Sequence, residues 1–98
     1  MCGIVGYVGP KPAAEVLIHG LERLEYRGYD SAGVAIKEDI IQRFRAVGRV
    51  EHLKEKLKRE NISGRQGIAH TRWATHGEPN EHNTHPHADA KERFFVVH

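Results

Sequence analysis

The chain has 98 residues, with 15 lysines and arginines against 13 aspartates and glutamates, for a net charge of +2. Apolar residues make up 39% and charged residues 29%, which suits one folded domain and excludes a disordered chain, poorer in apolar residues and more strongly charged. The charge is too small for a dedicated nucleic-acid binder, and no apolar run approaches the ~20 residues of a bilayer span. The opening MCGIVGYVGP lacks the basic and long apolar regions of a secretory signal, so a cytoplasmic protein without nucleic-acid or membrane partners is expected.

Residues 2–9 (CGIVGYVG) are short, β-branched and bounded by glycine, and read as a buried strand. After a turn at Gly9-Pro10-Lys11-Pro12, residues 13–26 read as a helix. Its apolar stripe is Ala14, Leu17, Leu21 and Leu24 with Ile18 beside it, and Gly28 is a plausible stop. Residues 33–37 and 40–45 read as a hairpin turning at Glu38-Asp39. A second helix, about 50–60, presents Val50, Leu53 and Leu57 on one face and the interrupted basic run 54–59 (KEKLKR) to solvent. Residues 61–67 read as loop, 67–71 as a strand, 72–91 as aperiodic, and 93–97 as a strand again. The order β-α-β-β-α-β predicts an α+β domain with helices packed on a sheet. The closing FFVVH reads as a buried strand running into the C-terminus, so the expectation is a piece of a longer protein.

Two anomalies locate the chemistry. The first is Cys2, the single cysteine, behind the initiator methionine and ahead of Gly3. Removal of Met1 would leave one residue with both a thiol (pKa about 8.5) and an α-amine (pKa roughly 7.7–8.0). The amine can then take the thiol proton, directly or through a water, so nucleophile and base belong to one residue. Gly3 and Gly6 would let other backbone approach closely. The competing reading is a small buried hydrophobe that starts a strand.

The second anomaly is the histidines, eight in all, five of them between His70 and His87. His82, His85 and His87 suggest a metal, but no cysteine or carboxylate completes a known ligand spacing. The stiff His85-Pro86-His87 also aims its two rings poorly at one ion. Arg72, Thr75 and His76 suit a small amino-acid ligand instead: a guanidinium fork for a carboxylate, then polar groups before Gly77. A surface loop of scattered polar residues, or a histidine-rich metal-binding or interaction module, are the alternatives.

Taken together, these residues resemble a known family. Cys2-Gly3-Ile4-Val5-Gly6 resembles the start of class II, N-terminal-nucleophile (Ntn) glutamine amidotransferases. The segments 24–33 (LEYRGYDSAG) and 70–77 (HTRWATHG), with Pro79, Asn83 and His85-Pro86-His87, resemble more specifically the glutaminase domain of the glutamine–fructose-6-phosphate aminotransferase (isomerizing) family. Tyr26, Tyr29, Asp30, Trp73 and His76 favour that family over amidophosphoribosyltransferases and asparagine synthetases. The resemblance runs the whole length of the chain.

It implies a four-layer αββα Ntn-hydrolase fold, of which residues 1–98 would be an N-terminal portion, less than half. Isomerase domains binding fructose 6-phosphate would follow, in a homodimer, with ammonia passing between sites. It further implies Cys2 as nucleophile and Arg72 as the clamp on the glutamine α-carboxylate. Thr75 and His76 become substrate contacts, Trp73 a cover over glutamine, and Arg27 and Gly3 supporting residues. No metal or organic cofactor is implied. In the family an Asn-Gly pair after the equivalent of Val96-Val97-His98 forms the oxyanion hole, and an aspartate beyond it binds the α-amine. Neither is in these 98 residues, so negligible activity of the chain alone is expected.

Overall fold

The computed structural model describes residues 2–27, 30–73 and 80–98. Strand β1 (Gly3–Val8) leads into helix α1 (Ala13–Leu24), which ends in a 3-10 turn over Glu25–Arg27. Strands β2 (Ser31–Lys37) and β3 (Ile41–Val47) form the hairpin. Helix α2 (Val50–Lys58) and strand β4 (Gln66–Arg72) follow, then a 3-10 turn at Glu81–Asn83 and two short strands, β5 (His87–Ala88) and β6 (Phe95–Val96).

The four long strands make one antiparallel sheet in the order β1-β4-β2-β3, and β5 pairs with β6. The chain therefore inserts β4 between its first strand and its hairpin. Both registers of β4 are complete: Gly3 faces Thr71 and Val8 faces Gln66 on one side, Ser31 faces Arg72 and Lys37 faces Gln66 on the other.

Both helices lie on one face. Leu17, Ile18 and Leu21 of α1 and Val50, Leu53 and Leu57 of α2 are buried against Ala32, Val34, Ile36, Ala46 and Ala69 of the sheet. In α1 the buried first-turn residue is Ala13, whereas Ala14 is only half-buried. Ala13 N–H, at the helix start, is satisfied by the Gly64 carbonyl (2.8 Å). The Glu25 carboxylate accepts the first N–H of α2, from Val50 (3.0 Å), and pairs with Arg49 (3.5 Å). A carboxylate there also complements the positive end of the helix. Gly48 takes a φ of +97°, which suits a residue without Cβ, and its N–H reaches the Asp30 carbonyl (2.7 Å).

The opposite face is covered differently. The segment from Thr84 to Pro86 lies across it, held by Arg45 Nη1 to the Thr84 carbonyl (3.0 Å) and Arg43 Nη1 to the Pro86 carbonyl (3.4 Å). Beyond that segment Ile4 and Val8 remain exposed, and an apolar groove of about 490 Å³ runs past Gly6, Ala35, Ile41, Ile68 and Phe95.

Two expectations are corrected. The 93–97 segment is not a buried strand: β6 has two residues, and Phe94 and Val96 are 69% and 61% exposed, because its pairing partner is only the two-residue β5. A Cβ on Gly6 would meet open space, so no backbone approaches it. The close approach occurs at Gly33, where a Cβ would run into the His85 carbonyl and lie 2.9 Å from Pro86 Cδ.

Gly33→Ala is therefore expected to lift the 84–86 segment and cost about 1–3 kcal/mol. Gly6→Ala is expected to leave stability unchanged or raise it by up to about 1 kcal/mol. Urea denaturation of the two variants checks the contrast.

Candidate functional site

Alternation along β4 sorts its side chains. Ala69 turns to the helices and is fully buried among them, whereas His70 and Arg72 turn to the other face. The β1–β4 register ends in the Gly3–Thr71 pair, so Cys2, just before it, and Arg72, just after it, lie at the same end of the sheet. Cys2 is half-buried. Gly3 is buried on the helix side, where a Cβ would meet Thr71 Oγ1 at 2.8 Å and Leu24 Cδ1 at 2.9 Å. The absence of a side chain there lets β1 close on α1 and β4 immediately behind the cysteine.

Arg72 is held by its backbone from the third strand. Its carbonyl accepts the Asp30 N–H (2.7 Å), and Ser31, its register partner, is fully buried with its hydroxyl on Asp30 Oδ1 (3.0 Å). Asp30 and Ser31 thus act as the polar seam at this end of the sheet. Trp73, the next residue, is exposed. Thr75 and His76, with Gly77 and Pro79, lie outside the described residues. So do Gly28 and Tyr29, and of Arg27 only the backbone in the 3-10 turn is described.

The histidines form a column on the same face. His70 is fully buried, its ring stacked on His85 (centroids 4.3 Å, 25°), and His85 packs on His87 (4.3 Å, 51°). Pro86 thus does not hold its flanking rings apart: His85 packs on His87 on one side and on His70 of β4 on the other. His70 Nε2 lies 2.7 Å from the His98 carbonyl. His70 Nδ1, His85 Nδ1 and Thr71 Oγ1 are buried without a partner among the described residues. The sequence reading missed His70 as a structural member of the site. Its signal was there, since it sits two residues before Arg72 in a strand of period two.

Burial, then the neighbouring His70, His87, Arg72 and His98, pushes His85 down to about 4. Burial first, then Arg72, His87 and His98, also lowers His70, although its bond to His98 opposes this. Burial, with Arg45 and Arg43 close by, lowers His87. These imidazoles are therefore kept neutral. Among the described residues no three histidine, cysteine or acidic side chains converge as metal ligands. The apolar groove lies at the far end of the sheet, around Val8, Lys37 and Gln66, away from Cys2 and Arg72.

No family model matches the chain. Along nearly its whole length it is 59% identical, over 98 residues, to the glutamine–fructose-6-phosphate aminotransferase (isomerizing) of Synechocystis sp., covering 99% of the chain and 16% of that enzyme. The enzymes of the same name from Clostridium tetani and Haemophilus influenzae are 59% and 57% identical over 99 and 100 residues, each covering 100% of the chain and 16% of the relative. The chain is homologous to the N-terminal region of these enzymes. It spans only 16% of their length. Among solved structures it is similar to the glutamine phosphoribosylpyrophosphate amidotransferase of B. subtilis, determined with ADP and GMP. The TM-score is 0.73 at 22% identity, over 88% of this chain and 18% of that one. The chain shares the fold of that amidotransferase over this stretch, here as a four-stranded antiparallel sheet with two helices on one face.

The column sets a pH dependence. A base whose folded pKa is depressed binds its proton in the unfolded chain first. For His85, stability is level above 6.5 and falls as pH drops from there through about 4. Glu38, lowered by the Ser63 N–H and hydroxyl, and Asp89, lowered by the Phe94 N–H, add losses only below their ordinary values of 4.5 and 3.8. Urea midpoints between pH 7 and about 4.5 are expected to fall in the wild type and to fall less in His85→Phe.

Proposed function

We propose that this chain is the nucleophile-bearing part of a glutaminase site that releases ammonia from L-glutamine. The whole enzyme would use that ammonia to convert fructose 6-phosphate to glucosamine 6-phosphate. The observation that supports the reading is the β1–β4 register, whose last pair, Gly3–Thr71, is flanked by Cys2 and Arg72 at one end of the sheet. A thiol with an α-amine on the same residue, next to a guanidinium, matches a substrate with a carboxamide at one end and a carboxylate at the other.

In this mechanism Met1 is removed first. The free amine of Cys2 takes the thiol proton, and sulfur attacks the side-chain amide carbon of glutamine. The tetrahedral intermediate collapses as the ammonium of Cys2 returns the proton to the departing nitrogen, leaving a γ-glutamyl thioester and ammonia. Water then adds to the thioester, its proton passing through the same amine, and glutamate leaves with the thiol restored. Arg72 holds the α-carboxylate throughout, a charge-assisted, two-pronged contact that fixes the distance from carboxylate to amide carbon. Thr75 and His76 enter as further substrate contacts, Trp73 as a cover over bound glutamine, and Arg27 as support beside the cysteine. Gly3 sustains the tight packing behind it. The fructose 6-phosphate acceptor, a homodimeric assembly and a cytoplasmic setting belong to the same proposal and derive from the full-length relatives. The 59% identity to such an enzyme over the chain supports the hexosamine reading above the other class II amidotransferases.

In the complete enzyme, Cys2→Ala, or a form that retains Met1, is expected to release no ammonia from glutamine. Hydrolysis by a protein with methionine still at its start, read by N-terminal sequencing beside the assay, would overturn the mechanism. Arg72→Ala is expected to raise the glutamine KM about 10- to 100-fold with a smaller effect on kcat, the loss of one charge-assisted contact. An unchanged KM would remove Arg72 from the pocket.

A further inference from the structure

We propose that His70 is a positioning residue of this site: as the neutral Nε2–H tautomer it pins the His98 carbonyl to β4 and so fixes residues 95–98 on the face that bears Arg72. The inference rests on the glutaminase reading for its purpose, but not for its geometry.

The tautomer follows from the partners. A carbonyl only accepts, so the Nε2 atom 2.7 Å from His98 O carries the hydrogen. Nδ1 is buried and has no partner among the described residues, so it holds a lone pair. A proton there would create a buried donor with no acceptor inside a cation. The groups facing the ring point the same way. Arg72 extends from its own strand, and His85, His87 and His98 come from the segment laid over the sheet. Its register partners, Ile4 on β1 and Gly33 on β2, carry no charge. None of these neighbours is an acid that would stabilise an imidazolium.

The placement gives the bond its consequence. His70 sits opposite Ile4, two residues along β1 from Cys2, and two residues along β4 from Arg72. The bond spans 28 residues, from the central region of the sheet to the chain's last described residue. The strand it holds is otherwise short and exposed: β6 is two residues long, Phe94 and Val96 face solvent, and Phe95 rests under the Arg43 guanidinium (5.7 Å). An aliphatic residue at position 70 would fill the same buried space without supplying a donor. Gly33 completes the arrangement, since its missing side chain admits the His85 carbonyl and lets the His85 ring lie flat on His70.

The test uses the complete enzyme, in which residue 98 carries a peptide carbonyl rather than a terminal carboxylate, and no glutamine. Nitrogen-15 NMR of its imidazoles is expected to show the Nε2–H form of His70, persisting below the ordinary imidazole value. In His70→Phe, which keeps a flat ring and loses the donor, amide hydrogen exchange across Phe95–His98 is expected to quicken at least tenfold, while amides of α1 and β2 exchange as in the wild type. His70→Gln, whose amide nitrogen reaches about as far as Nε2, is expected to restore most of the protection. An Nδ1–H tautomer, unchanged exchange in His70→Phe, or no recovery in His70→Gln relative to His70→Phe would each overturn the proposal. Should His70→Phe not fold, the wild-type tautomer and the exchange of His70→Gln decide it. Failure of the glutaminase reading, seen in the Cys2 and Arg72 variants, leaves these readouts untouched.

Discussion

Strand β4 is hydrogen-bonded along both edges, to β1 and to β2, and the two registers leave it no room to slip. Side chains on a strand alternate, so a shift of one residue would send His70 and Arg72 into the helices and Ala69 out of the core. The hydrophobic demand of α1 and α2 for Ala69 therefore sets the orientation of Arg72. The same register ends in the Gly3–Thr71 pair, so Cys2 and Arg72 flank it at one end of the sheet. Packing on one face of the sheet thus fixes which side chains line the other.

That second face is built largely from polar parts. Arg43 and Arg45 bond to carbonyls of the 84–86 segment, and burial first, then these two guanidiniums, lowers the pKa of their neighbour His87. Stacked imidazoles can occupy such a place because a neutral ring offers a donor, an acceptor and a flat apolar surface at once. A cationic side chain there would be repelled by Arg72 and Arg45. The column thus serves as a polar spacer that holds the C-terminal segment to the sheet. Its cost is two buried ring nitrogens, His70 Nδ1 and His85 Nδ1, without partners among the described residues.

Much of the fold was legible because the apolar periods were clean. The stripe of Leu17, Ile18 and Leu21 and the Val50, Leu53, Leu57 face identify both helices and their buried sides. The hairpin was found with its strands a few residues short, since Ser31, Ala32, Ala46 and Val47 are small or turn-adjacent and carry weak strand signals. The C-terminal segment was misjudged. FFVV reads as a core strand, yet propensity cannot reveal that its partner is two residues long and that its outer side faces solvent. His70 was passed over for a related reason. The period of β4 gives its face, shared with Arg72, but its role depends on His85 and the His98 carbonyl laid over that face, and no local pattern encodes such a contact.

By itself the sequence determined the α+β class and the amphipathic helices with their buried faces. These are properties of neighbours along the chain, where spacing of three to four or of two translates directly into a shared face. Tertiary structure alone decided that β4 enters between β1 and β2, that Gly33 must make way for His85, and that three histidines separated by up to 17 positions become one column. Such contacts arise from strand order and from how backbone and ring fit against each other, and those are settled only when the sheet closes on its core.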